Sequence, residues 1–184
     1  MNWKDEVQIK LKRKNQILFS KESKYLQDLM LLIQNQKHRT LALWAFELAR
    51  ESIATLAKKY PWERRPKDAL EAAQDWAAGT IKMQLAQQKI LNCHALAKEL
   101  DCKENIATCH AIGQACAVVH TPRHAIGYPI YDLTSIVLRL GIENCLEAIE
   151  VRKQSYIDKL LYWNEHMGEY ERNWATFMLK KIEK

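Results

Sequence analysis

Between Cys116 and Asp132 the chain gathers side chains able to bind or react: Cys116, His120, Thr121, Arg123, His124, Tyr128, Tyr131 and Asp132. His120 and His124 have the HxxxH spacing that puts two metal ligands on one helix face. With Cys116 one turn earlier, they form a weak candidate metal set. Pro122 interrupts the register that would align the three, and a tetrahedral site needs a fourth ligand that no spacing supplies. Histidines capping helix ends and bonding carbonyls account for the same pattern. Asp132 is the sole acid between Glu104 and Glu143. It could orient His120 or His124 for acid–base chemistry, or it could pair with Arg123, Arg139 or a tyrosine hydroxyl beside a kink; the second reading is favoured. No nucleophile elbow, phosphate-binding glycine loop or HExxH pattern is present, so no catalytic residue is assigned and no cofactor is expected.

A second candidate is the loop PWERRP at 61–66. Trp62 has no periodic reason to be buried, and with Arg64 and Arg65 it fits an exposed partner contact. The partner-binding candidates are therefore Trp62, Arg64, Arg65, His120, Arg123, His124 and Asp132.

These side chains must be positioned by helices. Apolar residues recur at helical spacing from Tyr25 to Ile33, and from Leu41 to Tyr60 with Thr40 as a cap. They recur again from Leu70 to a stop at Gly79, and from Met83 to Leu100. Asn105 to Pro122 is uncharged but too polar for lipid, and reads as a buried helix rich in small residues. A new helix is expected at Pro122, kinked or split by Pro129 and ended by Gly141. The last third reads as a long charged helix with a terminal segment (Trp174, Phe177, Met178, Ile182) docking after Gly168. A short triplet recurs, His94-Ala95-Leu96, His110-Ala111-Ile112 and His124-Ala125-Ile126, too brief to count as a structural repeat.

The sequence has 184 residues, within the roughly 100–200 typical of one domain. Five Gly and four Pro are few enough to favour helices over a turn-rich β fold. The expected architecture is all-α, one domain of about seven helices around two largely buried ones, with residues 1–24 as a basic arm and 25–184 as the helical domain. Five cysteines without a CxxC pair read as reduced, mostly buried thiols. The charged N-terminus lacks a signal-peptide core, so a cytoplasmic protein with no membrane partner is expected. The net charge of +6 suggests an acidic partner such as nucleic acid. Much of that excess lies in the first 24 residues, around KLKRK at 10–14, and a nucleic-acid-binding fold is therefore disfavoured.

Four strings, LALWAFELA (41–49), RPKDALEAAQDWAAGTIKM (65–83), CHALAKE (93–99) and HAIGQACAVVHTPRHAIG (110–127), carry a family likeness. Over roughly residues 38 to 140 the chain resembles the immunity proteins of bacterial polymorphic toxin systems, the immunity-five-like group. The AxxHxPxHAxG pattern around His120, Pro122, His124 and Gly127 and the WxxGxIKM pattern from Trp76 are the most specific parts. The resemblance implies a small, helical, cytosolic binding protein that holds a cognate protein toxin and needs no cofactor. Alternative functions are a metal protein or small enzyme using His120, His124 and Asp132, and a basic nucleic-acid binder. Neither oligomeric state nor binding face follows from the sequence.

Overall fold

The computed structural model describes residues 2–179, which form an all-α protein. Nine α-helices are present among the described residues: α1 (Trp3–Lys12), α2 (Gln27–Gln34), α3 (His38–Ala57), α4 (Arg65–Ala77), α5 (Met83–Leu96), α6 (Lys103–Ala117), α7 (Gly127–Leu140), α8 (Leu146–Glu165) and α9 (Thr176–Leu179). Short 3-10 turns occupy Lys24–Leu26, Pro122–His124 and Met167–Glu169.

The apolar circumference of α3 is buried along its length, with Leu41, Trp44, Phe46 and Leu48 sealed from solvent. Helix α6 packs against α3, α4, α5 and α7. It can do so because Ala107, Ala111, Gly113 and Ala115 keep its surface low, which lets neighbouring backbones approach closely. Helix α8 closes the other side of α3, where the Trp44 indole donates to the Tyr156 carbonyl over 2.9 Å. That bond satisfies the one polar atom of a fully buried ring.

Several boundaries differ from the sequence reading. Thr40 lies inside α3 and is buried, its hydroxyl 3.8 Å from the Met167 sulfur, while Lys37 occupies the N-cap. Pro122 opens a 3-10 turn, not an α-helix. Pro129 neither kinks nor splits α7, because it sits in the first turn, where a backbone N–H has no intrahelical acceptor to lose. Gly79 (φ 79°) and Gly141 (φ 76°) adopt the left-handed backbone that ends α4 and α7. The terminal segment docks: the Ala175 N–H donates to the Ala77 carbonyl, Arg172 pairs with Asp75, and Phe177 packs on Trp76. Ile182 lies outside the described residues.

The basic N-terminal stretch is bound into the core. Trp3, Val7, Leu18 and Phe19 are buried, and the Leu18 N–H donates to the Thr134 hydroxyl on α7 at 3.0 Å. Trp3, Phe19 and Tyr25 form an aromatic trio with centroids 5.7–6.4 Å apart. All five cysteines are free, and four are buried; burial pushes the Cys116 thiol up to about 12.

Candidate functional site

Asp132 does not meet the histidines. It faces α8, where Arg152 Nε donates to Oδ2 at 2.6 Å and the Tyr156 hydroxyl donates to the same oxygen at 2.6 Å. Of its expected partners the tyrosine hydroxyl is correct; the arginine is Arg152, not Arg123 or Arg139. Arg152 also donates to Glu51 (2.6 Å) and to the Tyr128 hydroxyl oxygen (2.8 Å). Tyr128 gives its own proton to the Leu48 carbonyl, so Ser52 donates to Tyr128 over 2.7 Å. Lys159 pairs with Glu51 at 2.9 Å and with Glu47, which also accepts from the Trp163 indole at 2.6 Å. Burial opposes the charge on Arg152, yet Asp132 and the surrounding oxygens outweigh it and raise its pKa. Burial likewise works against ionised Glu51, but Arg152 and Lys159 hold it below the usual carboxylate range.

This network forms one wall of a recess of about 450 Å³, lined also by Thr108, Ser135 and Arg139. Every carboxylate in the network already accepts from a cation or an indole, which makes it a fastening between α3, α7 and α8 and leaves no base free for proton abstraction.

The two candidate histidines, His120 and His124, lie beyond the C-terminus of α6, His124 within the 3-10 turn that follows it. His120 stacks on Trp76 (centroids 5.9 Å apart), while His124 Nδ1 bonds Gln114 Oε1 at 2.8 Å. Cys116 is fully buried. Among the described residues no group of three or more His, Cys, Asp or Glu side chains is placed to hold a metal ion. Arg123 is exposed on the intervening turn.

What the recurring triplet marks is a contact between helices. His94 on α5 and His110 on α6 approach Nδ1 to Nδ1 at 2.9 Å, so one ring carries the proton there and the other accepts it. His110 in turn packs on Tyr131 of α7, centroids 5.2 Å apart. Burial, then the neighbouring His110 and His124, bring His94 down to about 4; burial also lowers His110 and His124. Glycines make the room. A Cβ on Gly113 would lie 2.4 Å from the His94 ring, and one on Gly127 would lie 2.4 Å from Gln114 Oε1. The two HAIG strings, 110–113 and 124–127, thus each supply a histidine and the bare backbone against which a polar side chain of another segment rests.

In the PWERRP loop the two arginines diverge. Arg65 is consumed by Glu63 and Glu99, donating to both carboxylates at 2.7–2.9 Å. Arg64 keeps 73% of its side chain exposed, with Asp68 at 3.7 Å. Trp62 is 75% exposed and meets Tyr60 edge-on at 6.3 Å.

A family model described as Imm-5 like putative immunity protein matches residues 31–159, about 70% of the chain. The match runs past the 38–140 span of the visible likeness and takes in α8 as far as Lys159, hence Arg152 and Tyr156. No curated protein and no solved structure matches.

Proposed function

The chain belongs to the Imm-5 like family of immunity proteins, and on that premise we propose that it binds a cognate protein toxin and blocks it without chemistry of its own. The observation that carries this reading is Trp62. Leaving an indole three-quarters in water forgoes the stabilisation of burying 150–250 Å² of aromatic surface, a range general to aromatic side chains. The loop that carries it is held firm, because Arg65 ties the Glu63 carboxylate beside Trp62 to Glu99 beyond α5. An exposed Trp on a loop held in place, with the largely exposed Arg64 two residues on, is the composition of an interface anchor, since little loop entropy remains to be lost on binding. Arg64 and the exposed Lys58 suit a partner surface with carboxylates around an apolar notch. Among the described residues no helix is long and apolar enough to cross a membrane.

Co-expression tests the reading. The protein should restore growth of cells producing the toxin encoded beside it, and the two should copurify in a fixed ratio. Failure to rescue cells from any toxin encoded nearby would remove the proposal.

A further inference from the structure

Where the segment after α1 crosses α6 and α7, a pocket of about 360 Å³ opens. Its apolar walls are Leu11, Ile17, Ile106, Ala107 and Leu138, and the Tyr131 ring and His110 form its polar end. Lys14, Lys103, Asn15, Gln16 and the single acid Asp101 stand at the rim. Among the described residues neither lysine enters an ion pair, and neither the two amides nor the Tyr131 hydroxyl has a protein hydrogen-bond partner.

Both lysines occupy positions that local physics disfavours. Lys14 (φ 57°) is the only non-glycine residue with positive φ among those described. It follows the α1 cap Arg13 in a C-terminal turn where Asn15 N–H donates to the Lys10 carbonyl and Lys14 N–H to that of Leu11. Glycine is the residue that fits such a turn without a Cβ penalty. Lys103 is the first residue of α6, at the positive end of the helix dipole; that N-terminus has no side-chain cap, and its one first-turn acid, Glu104, is engaged by Lys59. A backbone outlier and a misplaced charge, converging on one pocket, point to a ligand that repays both.

We propose that this pocket binds a small amphipathic anion, an apolar ring body bearing a carboxylate, sulfonate or phosphate. The body lies between Ile17, Leu138 and Tyr131. The anionic group faces Lys14, Lys103 and the α6 N-terminus, with Asn15 and Gln16 as further donors. Leu11 and residues 14–17 precede the start of the family match at residue 31, whereas Asp101 to Leu138 lie within it, so a segment outside the matched region closes a pocket whose other wall is α6 and α7.

The probe is 1-anilinonaphthalene-8-sulfonate, titrated by fluorescence into the full chain, with uncharged N-phenyl-1-naphthylamine as comparator. One site with a Kd of about 10–100 µM is expected. Raising salt and removing the sulfonate should each weaken binding, and Lys14→Gly and Lys103→Ala should each weaken it roughly tenfold. Amide shifts on binding should centre on residues 11–17 and 103–110. Lys14→Gly relieves the left-handed strain, so its thermal midpoint should equal or exceed that of the parent; lost binding in that variant is a loss of the site and not of the fold. Equal affinity of the comparator, an unchanged Kd in Lys14→Gly, shifts centred elsewhere, or no saturable binding below about 1 mM would each overturn the proposal.

Discussion

Arg152 on α8 lies 2.6 Å from Asp132 on α7, and the same guanidinium reaches Glu51 on α3, so one side chain fastens three helices. Removing one member of such a half-buried cluster strands the others' charges. Arg152→Met should destabilise the fold by about 3–5 kcal/mol, measured by urea unfolding. Adding Asp132→Asn, which neutralises the stranded carboxylate while leaving an oxygen for Tyr156, should recover at least about 1 kcal/mol of that loss.

Gly113→Ala should act against ordinary helix propensity. In an open helix the change stabilises by about 0.5–1 kcal/mol. Here the new Cβ would meet the His94 ring at 2.4 Å, so a loss of about 1–3 kcal/mol is expected instead, with the His94–His110 bond broken in the histidine side-chain NMR spectrum.

Stability should fall on mild acidification. His94 binds its proton only near pH 4 when folded, against about 6.5 unfolded. Between those values the unfolded chain holds more protons, so unfolding free energy rises with pH there. The contribution is complete above about pH 6.5 and is lost as pH drops towards 4. Urea midpoints measured across that window should slope less steeply in His94→Asn than in the parent.

Trp62→Ala should separate binding from folding. With the ring mostly in solvent, stability should stay within about 0.5 kcal/mol of the parent. Affinity for the toxin should fall at least 30-fold, about 2 kcal/mol, read by calorimetry on the purified pair.

Deleting residues 2–20 should unfold or nearly unfold the protein. Trp3, Val7, Leu18 and Phe19 are each buried. At about 1.5–3 kcal/mol per buried side chain their loss rivals the 5–15 kcal/mol that holds a typical domain together. Circular dichroism of the truncated chain against temperature checks this.

Periodicity carried the helices far. The apolar stripes of α3, α5 and α8 and the stops at Gly79 and Gly141 were legible because spacing and breakers are local signals. The N-terminal stretch is less legible because half of WKDEVQIKLK is charged, and the two residues it buries, Trp3 and Val7, are too few to mark a face. Arg152 was missed for another reason: a polar residue that pairs across helices leaves no periodic trace, and its partners lie 20 and 101 residues away. The exposure of Trp62 was readable from a loop bounded by prolines, whereas the diversion of Arg65 to Glu99 depends on how α4 and α5 pack.

The bond from the Trp44 indole to the Tyr156 carbonyl spans 112 residues of chain. At ribosomal rates of about 5–20 residues per second, roughly 6–22 s separate the synthesis of its two ends. For that interval α3, the helix with the most buried residues among those described, has no α8 to cover it. Until α8 emerges that apolar surface is exposed to chaperones and to other nascent chains, and the pace of translation through α8 sets how long.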